Sequence, residues 1–433
     1  MNYIRVKSNK IIDSVEELKE HASGFHFLVF PVYEDNRIHP CKQKVSAIYL
    51  CDNVGWDRFI IPINHSEKVN DISLQSLMDS LSQCSLYVWD KKSFLNHVND
   101  SDNLFDIQLT FYLSGKEVSE PHLFQSYYNK WREFSNINTM IPISVLFKEI
   151  TAWMDTNELP QSLVEIWSLC YKDDFKTYQY VLNTFQKVER NGIYHIDNGL
   201  EYTQYNLYTT TGRPSNRFGG INYAAMKKSD DTREKYVSRY EGGKFYLYDY
   251  AAFHPTIISN YLKIERPTDK SLHQWLGEQY FNKQELTPEE YEESKKLTFY
   301  YLYGDVSEVI EIPFYQKVNE LIESFDGKTV LETPMFKRKI KVDGLNKQKI
   351  FNYFLQALES EINFVKIKQL NRLLADKESK LVLYTYDSFL IDYSPKDDIN
   401  ILKEIRKVLE WGNFTVTISQ GKNYKNMEYI SYL

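Results

Sequence analysis

Hydrophobic and polar positions in the first 178 residues alternate between two patterns. Three apolar runs predict successive strands: Phe25–Phe30, Val45–Cys51 and Asp57–Ile63. Segments with helical periodicity follow around residues 71–83, 91–98 and 141–155. This alternation predicts an α/β domain over residues 1–178. A helix predicted over about residues 174–191 ends at Gly192 and leads into a second domain, residues 179–433.

In the second domain, two aromatic and apolar strands each end at an aspartate. The first strand is Phe245–Asp249, and the second belongs to a tight hairpin over Leu381–Tyr393 with Asp387 near its bend. Pro255 stands at the start of an apolar-periodic run, which suits the first turn of a helix that follows Asp249. We therefore expect both carboxylates to project into a cleft.

Two further helices are predicted in this domain. Thr287–Glu290 is a capping box with proline at the first helical position, so a helix begins there and ends at Gly304. A longer amphipathic helix is predicted over roughly Lys347–Leu374. The first of these helices carries residues spaced i, i+4 and i+8, which share a face about 12 Å long: Lys295, Phe299 and Tyr303.

That helical face has two interpretations. An ammonium can hold a triphosphate while two rings pack a sugar and a base, and carboxylates at strand ends beside it are what two-metal phosphoryl transfer requires. The alternative is an ordinary amphipathic helix whose aromatic residues lie in the core. The spacing alone gives the two interpretations about equal weight.

Composition permits a folded enzyme and limits its contacts. The chain has 433 residues, a length that is enough for two or three domains, and 42% of its residues are hydrophobic. Its formal net charge of -7 means that any surface that binds nucleic acid must be a local patch of positive charge.

The cysteines and the apolar segments indicate the compartment. The four cysteines lack the spacing of zinc ligands, and no segment reaches the roughly 18 apolar residues of a membrane span. We expect a reduced, cytoplasmic protein without membrane contact.

Five short segments, in order over about 180 residues, resemble the motifs of family A DNA polymerases. They are Thr211-Gly212-Arg213-Pro214-Ser215; Tyr248-Asp249-Tyr250 at motif A; Lys295-x3-Phe299-x3-Tyr303-Gly304 at motif B; Asn352-x3-Gln356; and Tyr386-Asp387-Ser388 at motif C. The resemblance implies a template-directed DNA polymerase that adds deoxynucleotides to a primer 3' end. It also implies an α/β exonuclease-like (RNase H-like) first domain and an α+β palm and fingers second domain, with fingers at about residues 265–310.

The resemblance assigns catalytic roles to the matching positions. Asp249 and Asp387 would bind two Mg2+ ions, for which Mn2+ can substitute, and Tyr250 would lend its backbone carbonyl. Lys295 would contact the phosphates of the incoming dNTP and protonate the leaving group.

The resemblance also assigns contacts with the nascent base pair and the primer–template DNA. Phe299 and Tyr303 would shape the base-pair pocket. Arg213 would contact the primer terminus, and Asn352 and Gln356 would follow the minor groove.

Three positions depart from the family pattern. Tyr291 replaces an arginine of the motif B helix, so we expect either a low affinity for the nucleotide or compensation by Lys296 or Arg233. Ser388 follows the motif C aspartate, as in single-subunit phage RNA polymerases. His254 stands where family A polymerases have a glutamate, and family B polymerases a tyrosine, that excludes the ribose 2'-hydroxyl. We expect His254 to be the sugar gate, and a histidine that only packs against a neighbour is the alternative.

The family's thumb domain is expected to be absent, because Gly192–Asp197 is followed almost at once by Thr209–Arg213. The loss of thumb contacts with DNA phosphates should lower processivity. The basic residues Lys337, Arg338 and Lys339 are expected to contact DNA instead. An accessory protein is a second candidate for the role of the thumb.

The first domain lacks most of the family's exonuclease carboxylates. Phe27–Tyr33 contains no Asp-x-Glu, and Ser93 stands where the family has an aspartate. Asp106, with Asp173 or Asp174, falls near family positions, but two carboxylates hold two metal ions poorly. We therefore expect this domain to be degenerate and proofreading to be inactive.

Two alternatives to a DNA polymerase stay open. A primase or RNA-synthesising polymerase is compatible with His254 and Ser388. A non-catalytic module that binds DNA or a replication protein is compatible with Tyr291 and the missing thumb, although the retained aspartates argue against it. The chain is rich in Tyr, Lys, Asn and Ile, which is typical of low-GC codon usage. This composition and the reduced architecture would suit a virus or mobile element.

Overall fold

The structure is a computed structural model that describes residues 8–21, 26–35, 37–52, 57–69, 72–115, 126, 129, 141–156, 173–216, 220–222, 226–227, 229, 231–267, 269–304 and 306–432. Phe25, Cys170 and the side chains of Asp173 and Asp174 lie outside this described part. The chain forms two compact units, Met1–Arg190 with Phe218–Ile221 and Asn191–Arg217 with Asn222–Leu433.

The first unit is built on a six-stranded sheet. Its strands are β1 (Ser8–Ile11), β2 (His26–Tyr33), β3 (Val45–Asp52), β4 (Asp57–Pro62), β5 (Ser85–Val88) and β6 (Leu104–Asp106), in the spatial order β1-β4-β3-β2-β5-β6. The strands β2, β3 and β4 pair antiparallel, whereas β1 joins β4 in parallel and β5 and β6 extend β2 in parallel. Every residue of β3 and β4 is buried, as in strands that are covered on both faces.

Helices and the sheet alternate along this unit as the sequence predicts. The helices are α1 (Val15–His21), α2 (Leu74–Ser80), α3 (Lys91–Phe94), α4 (Ile107–Ser114), α5 (Ile143–Thr156) and α6 (Asp173–Asn191), with a 3-10 turn at Pro40–Lys42. α2 begins later than its periodicity indicates because Ser73 caps it, accepting a hydrogen bond from the N–H of Ser76.

Short strands open the second unit. They are β7 (Ile193–His195), β8 (Gly199–Glu201), β9 (Tyr205–Asn206), β10 (Ser215–Asn216) and β11 (Tyr236–Val237). Two small sheets result, one of β11, β7 and β8 and one of β9 and β10. Residues 192–216 are all described, and they contain no helix. The chain therefore passes from α6 to Arg213 through extended segments and turns.

A five-stranded antiparallel sheet forms the centre of the second unit. Its strands are β12 (Lys244–Tyr250), β15 (Lys380–Thr385), β16 (Ser388–Tyr393), β17 (Val416–Gly421) and β18 (Glu428–Ile430), in the order β15-β16-β12-β17-β18. A separate hairpin consists of β13 (Val330–Glu332) and β14 (Lys339–Lys341). On the central strand, Tyr248 is fully buried and its hydroxyl donates to the carbonyl of Leu402 over 2.9 Å.

The described residues of the second unit also form the α-helices α7 (Phe253–Tyr261), α8 (Leu272–Phe281), α9 (Pro288–Tyr303), α10 (Pro313–Glu323), α11 (Lys347–Leu373) and α12 (Asn400–Leu409). The predicted capping box is present, since Thr287 and Glu290 each bind the backbone N–H of the other. α11 packs against α7, α10 and α12. Its middle part is consequently buried all around, polar residues such as Glu359 and Asn363 included.

The result is a mixed α/β molecule, in agreement with the predicted fold class at that level. Among the helices that the structure describes, none is long and apolar enough to cross a membrane. The described cysteines, Cys41, Cys51 and Cys84, form no disulfide bond with one another. Burial raises the pKa of the Cys51 thiol to about 12, which keeps it protonated and unreactive near neutral pH.

Candidate active site

Two aspartates lie side by side at one end of the five-stranded sheet. Asp249 of β12 is paired with Ser388 of β16 on one side and with Thr417 of β17 on the other. The backbone N–H of Tyr250 donates to the carbonyl oxygen of Asp387 over 2.9 Å. Because paired strands lie only about 4.8 Å apart, this register makes the two predicted aspartates direct neighbours.

Asp387 belongs to a two-residue turn whose first residue has an unfavourable backbone conformation. Tyr386 has a φ of 60°, in the left-handed region that costs a non-glycine residue about 1–2 kcal/mol. Two interactions hold it. The amide of Asn363 donates to the Tyr386 carbonyl over 2.6 Å, and the guanidinium of Arg213 lies 3.9 Å from the centre of the Tyr386 ring. The position of Asp387 is thus set by residues outside its own hairpin.

The environment of Asp387 suits a ligand for a cation. Its side chain reaches solvent, but the surrounding cavity walls remove part of its hydration. This partial burial raises the pKa of Asp387 above its ordinary value, and the nearby carboxylate of Glu359 raises it further. A bound cation would act in the opposite direction and stabilise the ionised form.

A cavity of about 380 Å³ opens beside these aspartates, a volume typical of small-molecule sites in proteins. Seven of the predicted site residues line it: Arg213, Tyr250, His254, Lys295, Phe299, Tyr303 and Asp387. Asp249 lies at the adjacent strand end. The structure therefore brings together, from five separate segments, most of the residues that the motifs single out.

The predicted aromatic face of α9 forms one wall of the cavity. The helix packs into the unit through three buried residues, Ser294, Thr298 and Leu302. Phe299 and Tyr303 stand on a different face, with ring planes only 10° apart and ring centres 6.2 Å apart. This arrangement favours the cavity interpretation of the i, i+4, i+8 spacing over an ordinary helix with its aromatic residues in the core.

Lys295 carries positive charge into the cavity wall but already has a partner. Its ammonium lies 2.6 Å from the carboxylate of Glu292 and 4.5 Å from the centre of the Tyr291 ring. Lys296 is 74% exposed, pairs with Glu293 over 2.9 Å and does not line the cavity. The positive charge at this end of the cavity is therefore small.

His254 is held at both nitrogens. Its Nε2 lies 2.8 Å from the carboxylate of Glu359, and its Nδ1 is hydrogen-bonded to the hydroxyl of Tyr303. Glu359 also lies 3.2 Å from Nε of Arg213. Sequence reasoning did not identify Glu359, although its position contained a signal. Residues 352, 356, 359 and 363 recur at helical spacing, so Glu359 shares the face of α11 that carries the family-like Asn and Gln.

His273 of α8 is a second cavity residue that the sequence did not reveal. Its side chain is buried, its Nδ1 lies 3.3 Å from the Thr298 hydroxyl, and its ring centre lies 5.8 Å from that of Phe299. Burial lowers the pKa of His273 to about 4, so the imidazole is neutral near pH 7. No local pattern marks this residue, because only the packing of α8 against α9 brings it to the cavity.

Three other predicted DNA or nucleotide contacts lie outside the cavity wall. Asn352 and Gln356 stand on α11, and the Gln356 amide oxygen lies 3.3 Å from the hydroxyl of Thr211. Arg233 donates to the carbonyl of Met226 over 2.7 Å, and its guanidinium lies 4.3 Å from the centre of the Tyr424 ring.

The predicted basic segment has two different kinds of residue. Arg338 is only 5% exposed, and its guanidinium donates to the carbonyl of Thr210 over 2.9 Å. Lys337 and Lys339 are exposed, and Lys337 lies 3.6 Å from Glu332. Arg338 thus connects the β13–β14 hairpin to the segment that contains Arg213, while the two lysines face solvent.

In the first unit, the carboxylate of Asp106 has a structural role. It is fully buried, and its two oxygens accept hydrogen bonds of 2.6 Å from the backbone N–H groups of Lys91 and Leu109. It therefore caps α4. Ser93 likewise donates its hydroxyl to Asp90 over 2.8 Å.

Within the described ranges, no group of three or more His, Cys, Asp and Glu side chains is arranged to hold a metal ion. A magnesium ion does not require such a group, because it is commonly bound by one or two carboxylates together with water and substrate phosphates. The pair Asp249 and Asp387 is compatible with that mode of binding.

Comparison with known proteins gives a likeness in fold. No protein-family model matches the chain, and no curated protein matches it either. Among solved structures, the chain is similar to the POL domain of Pol1 from M. smegmatis, in complex with DNA primer-template and dNTP. The TM-score is 0.67 at 12% sequence identity, over 97% of this chain and 99% of that one. The chain is therefore folded like a DNA polymerase domain.

The turn that carries Asp387 provides a first test. We expect Asn363→Ala to leave the Tyr386 carbonyl without its donor, which typically costs about 1–3 kcal/mol for a buried group. Amide hydrogen exchange over residues 381–393 should then become faster. Gln369→Ala, which removes an exposed amide from the same helix, is the control and should leave this exchange unchanged. Equal protection in the two variants would contradict the assigned role of Asn363.

Proposed function

We propose that the chain is a template-directed DNA polymerase that adds deoxynucleotides to a primer 3' end by two-metal phosphoryl transfer. The observation that carries the proposal is the cavity, in which an ammonium, two stacked rings and a guanidinium meet Asp387 beside the strand end of Asp249. The likeness in fold to a domain in complex with DNA primer-template and dNTP supports it.

We assign Asp249, Asp387 and the backbone carbonyl of Tyr250 to divalent cations, Mg2+ with Mn2+ as a substitute. All three donors are oxygens, the atoms that Mg2+ prefers. Bound ions supply the charge that activates the primer hydroxyl and stabilises the leaving pyrophosphate. The contribution of the protein is to hold both carboxylates at one end of a hydrogen-bonded sheet.

Lys295 is assigned to the phosphates of the dNTP and to protonation of the leaving group. Its ammonium must exchange Glu292 for phosphate oxygens when the nucleotide enters, so part of the binding energy is spent on breaking an ion pair. Tyr291 offers a ring where the resembled family has a guanidinium. Lys296 and Arg233 lie outside the cavity wall. Their contribution to nucleotide binding is therefore limited to the electrostatic field around the cavity.

His254 is assigned to the sugar of the nucleotide, with Phe299 and Tyr303 against the base pair. The ring of His254 is fixed from two sides, by Glu359 and by Tyr303. A bulky group that two hydrogen bonds hold in place beside the sugar can exclude a ribose 2'-hydroxyl. We therefore propose that deoxynucleotides are preferred.

The primer–template DNA is assigned to Arg213 at the primer terminus and to Asn352 and Gln356 in the minor groove. Lys337 and Lys339 are assigned to phosphates, with Arg338 anchoring their hairpin. The direct passage of the chain from α6 to Arg213 supports a thumbless architecture. An accessory protein that supplies the contacts of the absent thumb with DNA phosphates is part of the proposal.

We assign residues 1–178, which lie within the first unit, to a degenerate exonuclease-like domain and residues 179–433 to a palm with fingers at about 265–310. Asp106 supports the loss of nuclease activity, because both of its oxygens are engaged by backbone N–H groups. A metal ion at Asp106 would have to displace these helix-capping bonds.

Primer extension on a recessed DNA template tests the function. We expect extension with dNTPs and Mg2+, and a loss of about a thousandfold or more in Asp249→Asn and Asp387→Asn, since metal-borne charge stabilisation is worth several kcal/mol. Asp376→Asn, an exposed aspartate paired with Lys377, is the control. Extension with rNTPs alone would replace the proposal by an RNA-synthesising polymerase. No extension despite primer–template binding would favour a non-catalytic module.

The ion pair at Lys295 gives a second test. We expect Glu292→Gln to lower KM for dNTPs by about two- to fivefold, the size of an exposed ion pair, because Lys295 becomes free for phosphate. Steady-state extension kinetics measure this change. Glu293→Gln removes a carboxylate from the neighbouring ion pair of Lys296 and should change KM little. Equal effects of the two substitutions would mean that only the general charge of α9 matters.

The state of the first unit is tested by incubating 5'-labelled primer–template with Mg2+ and no dNTPs. We expect the primer to keep its length, because Asp106 is committed to capping α4. Shortening of the primer that persists in Asp387→Asn and disappears in Asp106→Asn would show an active nuclease and overturn this assignment.

A further inference from the structure

Glu359 stands out because it is a carboxylate only 1% exposed in the middle of a long helix. Burying an ionised carboxylate costs several kcal/mol unless charged or hydrogen-bonding partners compensate. Both partners of Glu359 come from the cavity, His254 at 2.8 Å and Arg213 at 3.2 Å, and both meet the same oxygen, Oε2. If Glu359 only stabilised its helix, its carboxylate would not need two partners from the cavity.

The contact with His254 fixes more than one ring. An ionised carboxylate can only accept hydrogen bonds, so Nε2 of His254 carries the proton in their shared bond. The other ring nitrogen, Nδ1, is hydrogen-bonded to the hydroxyl of Tyr303. Glu359 thereby sets the orientation of the His254 ring and, through it, the position of the Tyr303 hydroxyl.

The contact with Arg213 extends the same network to the catalytic turn. The guanidinium of Arg213 lies between Glu359 and the ring of Tyr386, which precedes Asp387. One carboxylate consequently connects the helix of His254, the helix of Tyr303 and the turn of Asp387. These segments are far apart in the sequence, so their connection depends on tertiary packing.

We propose that Glu359 is a positioning residue that determines sugar specificity without touching the nucleotide. It holds His254 and Tyr303 in the conformation that excludes a ribose 2'-hydroxyl, so discrimination between dNTPs and rNTPs depends on a nearly fully buried residue that acts through His254. This inference rests on the proposed polymerase function and deepens it.

The chain offers a matched control on the same helix. Glu361 is also 1% exposed, but its carboxylate accepts hydrogen bonds from the backbone N–H groups of Met335 and Phe336, at 2.9 and 3.2 Å. Glu361→Gln replaces a buried carboxyl group by an amide as Glu359→Gln does, away from His254 and Arg213. It separates a specific role of Glu359 from the general effect of changing a buried carboxyl group on α11.

The experiment compares kcat/KM for single dNTP and rNTP incorporation in the wild type and in Glu359→Gln, Glu361→Gln, His254→Ala and the double variant Glu359→Gln/His254→Ala. We expect Glu359→Gln to lower the dNTP/rNTP ratio about tenfold or more and Glu361→Gln to leave it unchanged. Because Glu359 acts through His254, its substitution should have no further effect on the ratio in the His254→Ala background. An unchanged ratio in Glu359→Gln, or additive effects, would overturn the inference.

A second measurement separates this inference from the proposed function. Spectra of 15N-histidine-labelled protein report which ring nitrogen of His254 carries the proton, with assignment by His254→Ala. We expect a protonated, hydrogen-bonded Nε2 in the wild type and its loss in Glu359→Gln, with the conservative Glu359→Asp also measured in case Glu359→Gln does not fold. An unchanged His254 signal would overturn the positioning role. A wild type that shows the signal but extends no primer would overturn the polymerase proposal instead.

Discussion

The candidate site depends on the pairing of a single central strand on both of its edges. β12 is hydrogen-bonded to β16 and to β17 through its whole length, so a shift of register by one residue would move every side chain to the opposite face. Tyr248 is fully buried and hydrogen-bonded to Leu402, which makes such a shift costly. Asp249 therefore has a fixed neighbour on each side, Ser388 on β16 and Thr417 on β17, and Ser388 adjoins Asp387.

The opposite side of the cavity depends on a helix that is buried around its middle. α11 supplies Asn363 to the turn of Asp387 and Glu359 to His254 and Arg213. These polar groups are placed by a rigid helix that packs against three others, so their distances are fixed together. The strained conformation of Tyr386 persists because this helix over-determines it. The geometry of the site is consequently a property of the packed unit and not of its loops.

Local patterns in the sequence predicted those parts of the structure that local physics determines. The capping box at Thr287, the strand ending at Asp249 and the hairpin around Asp387 are each set by residues close in sequence, and all three are present. Glu359 and His273 were missed because their roles arise only when helices pack. The burial of Arg338 was missed for the same reason, since a run of basic residues normally indicates an exposed face.

Charge in the cavity wall constrains how a nucleotide can bind. Two cationic side chains, Arg213 and Lys295, line the cavity together with two carboxylates, Glu359 and Asp387. Each cation is already close to a carboxylate, so the wall offers a triphosphate almost no net positive charge. A nucleoside triphosphate carries several negative charges, and repulsion from Asp387 would oppose its entry alone. The proposed substrate is therefore best accommodated as a complex with a divalent cation, whose charge offsets both the phosphates and the aspartates.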